Sequence, residues 1–253
     1  MSDLGTSFKG FRVLVTGASG GIGRVTVKEL LNHGARVGVH YCENKPDVKE
    51  LTSGTKDFQG ENVCTFKADL RNREENYHLF KSFIGWAGGI DGLVNNAGDV
   101  SIRRHFFDVD ETEIEADLAL NLKAPFWLSR LAIKNMEINR TKGSIVNISS
   151  ISAKFGGSPY TLFYGLAKCA LETMTFSMSR YCAPLGIRIN ALRLGVFDTQ
   201  FHLRHVKDLT ERVQMIPAKR MGDPEEAAWW IMSLLNNKSA YMNGQVVSLT
   251  GGE

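Results

Sequence analysis

Apolar positions along the chain fall into two alternating patterns. Seven short runs rich in β-branched residues read as strands: RVLVTG (12–17), RVGVHY (36–41), NVCTFKAD (62–69), GLVNNAG (92–98), GSIVNISS (143–150), IRINALRLG (187–195) and QVVSLTGG (245–252). Between them, residues 22–33, 72–86, 111–138, 160–183 and 224–237 carry apolar residues at helical spacing. Strands joined by crossover helices predict a parallel sheet covered on both faces, hence a doubly wound, Rossmann-type α/β fold with seven strands. No fixed-period repeat or low-complexity tract interrupts the pattern. The least regular stretch, 197–220, is rich in His, Arg and Lys.

At 253 residues and 28.1 kDa the chain is long enough for one substantial core, and a single domain spanning 1–253 is expected. A net charge of +3 offers no concentrated basic face for nucleic acid. Cys42, Cys64, Cys169 and Cys182 form no CxxC pair and no metal-ligand spacing, which fits isolated reduced thiols. The N-terminus is polar, and no apolar run approaches membrane-spanning length. A soluble cytoplasmic protein is the expectation, without nucleic acid or membrane partners. The 25 glycines against 6 prolines point to tight turns beside ligands.

One such turn is VTGASGGIGRV, with Gly17, Gly21 and Gly23 between a strand and a helix. Glycine there lets the backbone approach a pyrophosphate, whose charge meets free N–H groups at the helix N-terminus. Packing alone also produces such turns. The spacing is TGxxxGxG, followed by Asn95-Asn96-Ala97-Gly98 at the fourth strand, then a serine and Tyr164-x3-Lys168. In order, spacing and chain length this resembles the short-chain dehydrogenase/reductase family, over essentially the whole chain.

The resemblance implies a nicotinamide dinucleotide. Gly17, Ser19, Gly21, Ile22 and Gly23 would hold it at the first turn, and Tyr41 lies where its adenosine ribose would sit. Asp69 and Leu70 end the third strand, where Asp69 would accept from the adenine amino group. Asn95, Ala97 and Gly98 would line the pocket beside the ribose, and Gly195, Val196 and Thr199 would serve the nicotinamide amide. A helix cap for Asp69 and a plain turn for Asn95-Asn96 are the alternatives. Where the family usually has Pro-Gly after strand six, this chain has Leu194-Gly195. An acidic residue ending strand two would favour NAD, but Tyr41 and Cys42 stand there. Arg24, His40 and Lys45 are available to a 2′-phosphate, so NADP(H) is favoured over NAD(H), although Gly20 replaces an arginine common in NADP-preferring relatives.

Carbonyl reduction also needs a proton. Tyrosine titrates near 10, too high for easy exchange at neutrality. A lysine ammonium ~4 Å away, at an effective dielectric of ~20, would favour tyrosinate by about 3 pKa units before desolvation opposes it. Tyr164 and Lys168 stack one helical turn apart. Tyr160, two turns from Lys168, is assigned to the substrate wall, with packing as its alternative. Ser149 and Ser150 both end strand five and must face opposite ways. The resemblance selects Ser150 as donor to the carbonyl oxygen, 14 residues before Tyr164 where 13 is commoner, and assigns the extra residue to the loop KFGGSPYT. It also implies that the backbone carbonyl of Asn121 holds a water leading protons to Lys168. Catalysis would thus rest on Asn121, Ser150, Tyr164 and Lys168, with Ser150, Tyr160 and Tyr164 touching substrate.

Residues 197–216 are expected to form a substrate lid, made basic by His202, Arg204, His205 and Lys207. Two histidines without a third ligand imply no metal. The substrate is a small carbonyl or alcohol: a 3-oxoacyl thioester or general carbonyl first, a sugar or polyol second. A non-catalytic dinucleotide sensor is the reading of another class. Phe126, Trp127, Phe163, Phe176 and Met178 widen the apolar faces of two helices, which with the resemblance implies a homotetramer.

Overall fold

The structure is a computed structural model that describes residues 8–54, 60–101, 103–201 and 209–253. In chain order the elements are β1 (Arg12–Val15), α1 (Gly21–Asn32), β2 (Arg36–Tyr41), α2 (Val48–Thr52), β3 (Val63–Lys67), α3 (Arg73–Ala87) and β4 (Gly92–Asn95). There follow α4 (Glu111–Leu118), a π-helical turn (Ala119–Lys123), α5 (Ala124–Ile138), β5 (Ser144–Ser150), α6 (Ser152–Phe155) and α7 (Leu162–Cys182). The chain closes with β6 (Arg188–Leu194), α8 (Thr210–Met215), α9 (Pro224–Leu235) and β7 (Val246–Leu249). Every strand pair is parallel, in the order β3-β2-β1-β4-β5-β6-β7. The doubly wound seven-stranded fold expected from the pattern is the fold observed.

Strand alternation divides the core in two. Val13, Val15, Val37 and Val39 face α1 and α9, where Leu30, Ile231 and Leu235 cover them. Leu14, Leu93, Ile145 and Ile189 face the other way, under Phe83 of α3 and Leu128 and Met136 of α5. Both faces are therefore dry, which is why these strands read as continuous apolar runs.

Five strands stop earlier than the pattern suggested, at residues 15, 67, 95, 194 and 249 instead of 17, 69, 98, 195 and 252. Their last residues leave the ladder to build turns at the carboxyl edge. The expected single helix 111–138 is also divided. Asp110 and Glu113 cap α4 reciprocally, and the helix then widens into the π turn before α5. Periodicity cannot register one extra residue per turn. The helix expected from 160 begins at Leu162, because Tyr160 and Thr161 belong to a turn in which the Thr161 N–H donates to the Ser158 carbonyl.

One buried cation closes the far side. Arg188 on β6 is 7% exposed and donates to the carbonyls of Leu234, Leu235 and Asn236 at 2.7, 3.1 and 3.0 Å. These are orphan acceptors at the C-terminus of α9, where the helix dipole favours a cation. Burial lowers the Arg188 pKa, but guanidinium stays charged at any ordinary pH. Arg188→Ala would remove three charge-assisted bonds, leaving Leu234 to Ser144 and Asn236 to the Ser239 N–H, and is expected to cost about 2 kcal/mol of unfolding free energy, read from urea denaturation midpoints at constant m-value.

Candidate active site

The strand order reverses between β1 and β4, so their carboxyl ends diverge and leave a crevice where doubly wound folds bind ligands. Thr16 stitches the two turns together: its hydroxyl donates to the Val94 carbonyl at 3.2 Å and accepts from the Asn96 and Ala97 N–H groups, each at 3.0 Å. The Asn96 amide donates to the carbonyls of Thr16 and Gly17 at 2.8 and 2.9 Å. Gly17 is needed here twice over. Its φ is +60°, and an added Cβ would stand 2.7 Å from the Ala97 Cα.

The helix that follows is set up for an anion. Asn72, Asp110 and Asp223 cap α3, α4 and α9 with their own side chains, each helix carrying glutamates in its first turn. Gly20 gives α1 no side-chain cap, and its first turn has no acidic residue. A capless helix N-terminus beside a glycine cradle fits the pyrophosphate of a dinucleotide. Thr199 reaches over this turn, its Cγ2 3.4 Å from where a Gly21 Cβ would lie, so the loop after β6 meets the first turn. Gly195 is packed more closely still, a Cβ there lying 2.9 Å from the Thr250 Cα, and Val196 is buried.

At the other end of the crevice, β5 delivers its two serines in opposite directions. Ser149 donates to Glu172 at 2.6 Å, and Glu172 pairs with Arg193 at 2.6 Å, tying α7 to β6. Ser150 faces the Tyr164 hydroxyl closely enough to lower its pKa. Because the Ser152 N–H donates to Ser150 Oγ at 3.2 Å, the serine's own proton is left for the phenol side. The 14 residues from Ser150 to Tyr164 include α6 and the loop to which the extra residue was assigned. After α6, Gly156 and Gly157 both adopt left-handed φ, +77° and +76°, and the backbone passes against Gly165 of α7.

Lys168 is 3% exposed and donates to the Ile148 carbonyl at 2.9 Å, with its Nζ 5.6 Å from the Tyr164 ring centroid. Burial lowers its pKa to about 8. Burial pushes the Tyr164 hydroxyl up to about 12; Ser150 pulls down, and the carboxylates of Asp99 and Asp117 add to the rise. Burial thus shifts Tyr164 in the direction opposite to the lowering anticipated from Lys168, whose ammonium is engaged at the Ile148 carbonyl.

Asn121 is completely buried inside the π turn. Its amide donates to the carbonyls of Asp99 and Asp117 at 2.8 and 3.0 Å, while its Oδ1 has no partner. A Cβ on Gly98 would lie 2.9 Å from that Oδ1 and 3.0 Å from Lys168 Nζ. Gly98 thus keeps open one small space that both polar atoms face. The side-chain oxygen is thus a further acceptor on the residue whose backbone carbonyl was expected to hold the water.

Several expected contacts are placed elsewhere. The Asn95 side chain turns into the core, donating to Ser129 at 3.0 Å and Asn147 at 2.7 Å, so it does not line the crevice. The Leu70 side chain packs under α3. Asp69 is reached at the end of β3, but Arg71 holds both its oxygens. His40 is not open to a 2′-phosphate: it is 2% exposed, its Nδ1 accepts from the Gly17 N–H at 3.0 Å, and its Nε2 therefore donates to the Ala68 carbonyl at 3.0 Å. Burial lowers its pKa, in keeping with a neutral ring. Arg24 is paired with Glu50. Tyr41 and Ser19 are half-buried at the crevice, and Ile22 packs partly against the core. Tyr160 is half exposed, at the edge of a ring cluster with His105, Phe106 and Phe107. Phe197, expected in the lid, lies in the core, and Phe201 approaches Tyr164 with ring centroids 6.3 Å apart. His202, Arg204, His205 and Lys207 lie outside the described residues. The roles of Asp117, which accepts from the Ser101 N–H at 2.8 Å, and of Arg71 had no signal in the chain, since nothing in their spacing marks them.

Fold and crevice together define a nicotinamide-type oxidoreductase scaffold. A family model described as Enoyl-(Acyl carrier protein) reductase matches residues 17–253. The chain is 35% identical over 250 residues to the 3-oxoacyl-[acyl-carrier-protein] reductase of Rickettsia typhi, covering 97% of each chain. It is 30% identical to L-rhamnose 1-dehydrogenase (NAD(P)(+)) of Azotobacter vinelandii, covering 95% of each. The crystal structure of an NADH-dependent reductase, A1-R′, responsible for alginate metabolism superposes with a TM-score of 0.86 at 26% identity, covering 97% of each chain. The chain belongs to the short-chain dehydrogenase/reductase family and is an NAD(P)-class dehydrogenase/reductase. Among the described residues, no helix is long and apolar enough to cross a membrane.

The buried lysine sets a pH test. Its folded pKa, about 8, lies below its unfolded value of 10.5. The unfolded chain therefore binds more protons between these values, and stability rises with pH across that window. Lys168→Met removes the penalty. Its stability relative to the native chain is expected to be greatest below pH 8 and to narrow by about 3 kcal/mol toward pH 10.5, measured by denaturant unfolding across that range.

Proposed function

We propose that the protein reduces a carbonyl compound with NADP(H), favoured over NAD(H), the carbonyl being a 3-oxoacyl thioester or a general ketone or aldehyde. The observation that carries this reading is the meeting of Ser150, Tyr164 and Lys168 at the end of β5, beside a glycine turn suited to a pyrophosphate. The bound dihydronicotinamide supplies the hydride. Ser150 donates a hydrogen bond to the carbonyl oxygen, where negative charge develops. Tyr164 gives that oxygen its proton. A phenol held near 12 is fully protonated at neutral pH, the state a reductase needs in its acid. Lys168, near 8, exchanges protons readily at working pH, and the space it shares with Asn121 Oδ1 suits a water that resupplies it. One catalytic domain holds this centre, with Phe201 beside the Tyr164 ring at its edge.

A sugar or polyol is the second reading. It is favoured by a crevice between α4 and the start of α7, where the Arg104–Glu113 pair and Asp117 lie beside Tyr160 and Phe106. Carboxylates and aromatic faces suit hydroxyl groups and sugar rings. A non-catalytic sensor is disfavoured because all three reacting side chains are present.

Stopped-flow oxidation of NADPH with acetoacetyl thioesters, ketones, aldehydes and aldoses should show turnover with at least one carbonyl class. Tyr164→Phe should lower kcat about 10²- to 10⁴-fold with cofactor affinity intact. Tight cofactor binding with no turnover on any of them would favour the sensor.

The protein works as a homotetramer in this reading. Phe126 on α5, Leu166, Phe176 and Tyr181 on α7, and Tyr241 before β7 leave large apolar surface exposed. Trp127 and Met178 do not add to it, for Trp127 is covered by Arg73 and Met178 packs against the core. Sedimentation equilibrium at micromolar concentration should give about four times the 28.1 kDa chain mass; a monomer there would refute the assembly.

A further inference from the structure

The cofactor's 2′-position raises a question that the end of β2 alone does not answer. His40 is consumed by Gly17 and Ala68, Arg24 by Glu50, and Gly20 leaves open space where a side chain would project. A cation does stand next door, one strand over. Arg71 follows β3, which pairs with β2 through Tyr41↔Lys67, and the Ala68 N–H donates to the Tyr41 carbonyl at 3.1 Å. Its guanidinium lies within the electrostatic reach of Cys42 and Glu43, the residues that follow Tyr41.

Arg71 grips Asp69 completely. Nε lies 2.9 and 3.1 Å from the two carboxylate oxygens, Nη2 lies 2.7 Å from Oδ2, and the Arg71 N–H donates to Oδ1 at 3.0 Å. The pair is half exposed, with side chains 51% and 35% accessible, so it can open at little cost. While it is closed, Asp69 has little acceptor capacity left for an adenine amino group. Opening it would release the carboxylate to the adenine and the guanidinium fork to a phosphate at the same moment.

We propose that Arg71 is the residue that reads the 2′-phosphate, swinging from Asp69 onto that group when NADP(H) enters. This rests on the dinucleotide reading above and deepens it. A planar guanidinium with two parallel donors matches phosphate geometry, which Lys45 meets only as a point charge. Glu43 and Glu75 oppose the phosphate, but Glu75 is held by the Asp69 N–H at 2.6 Å and Glu43 is exposed and screened by solvent. With NAD(H) there is no phosphate to draw Arg71 away, so the closed pair competes with the adenine.

The test is a fluorescence titration of NADPH and NADH binding to the full-length protein, its Arg71→Ala variant and its Arg71→Lys variant, with thermal melts confirming that all three fold. The native protein should bind NADPH more tightly than NADH. Arg71→Ala should weaken NADPH about 10- to 100-fold and leave NADH within about twofold or slightly tighter, with Arg71→Lys between. The inference is overturned by an equal loss for both nucleotides, by an equal gain for both, or by no change in either. Failure of the native protein to bind either nucleotide would instead remove the dinucleotide reading itself.

Discussion

The contact on which the rest depends is the approach of the β1 turn to the β4 turn. A parallel sheet whose strand order reverses leaves a gap between two diverging chain ends, and unpaired backbone groups in that gap would be costly if buried. Thr16 and Asn96 satisfy them with side chains, and Gly17 lets the two backbones close to van der Waals distance against Ala97. His40 fixes the same turn from below. The turn is thus held by groups that face away from the crevice. The N–H groups at the start of α1 remain uncommitted, and on the proposed reading they receive the pyrophosphate.

Buried charge is treated in two ways. Arg188 and the Glu172–Arg193 pair are fully matched by acceptors or a counter-ion, and they fasten helices to strands. Lys168 is buried with one carbonyl and, among the described residues, no counter-ion, and burial lowers its pKa. Such an arrangement is costly to the fold and makes sense where the group's chemistry needs a proton that leaves easily. Asn121 Oδ1, buried without a partner, is the neighbouring case. Both meet at the space that Gly98 keeps open.

The fold was readable from the chain because buried parallel strands and amphipathic helices leave different periodicities, and those survive in one sequence. The family motifs located Ser150, Tyr164 and Lys168 because their spacing is local: strand alternation separates Ser149 from Ser150, and one helical turn joins Tyr164 to Lys168. What was not readable depends on contacts between distant segments. Asn95 looked like a crevice residue by its place in the motif, yet its partners Ser129 and Asn147 lie 34 and 52 residues away and draw it into the core. His40 looked like a free cation for the same reason. The π turn around Asn121 lies inside one apolar periodicity running from Glu111 to Ile138, and its only local mark is Pro125 in the first turn of α5, which signals a new helix start but not a change of pitch.

The sign of the Tyr164 shift shows how magnitude decides a mechanism. An ammonium ~4 Å away at a dielectric of ~20 is worth about 3 pKa units, but only if it faces the phenol and the phenol stays solvated. Here Nζ is committed to the Ile148 carbonyl, and the ring beside it is buried among Phe201, Ser150 and two nearby carboxylates. Desolvation then sets the direction of the shift, and the phenol keeps its proton. A tyrosine of this kind is a ready acid and a reluctant base. In the oxidative direction it must first lose its proton to something that pays for the charge, whereas in the reductive direction it starts in the required state. The asymmetry lies in the burial of one ring and the commitment of one ammonium, and it is why carbonyl reduction is the direction proposed.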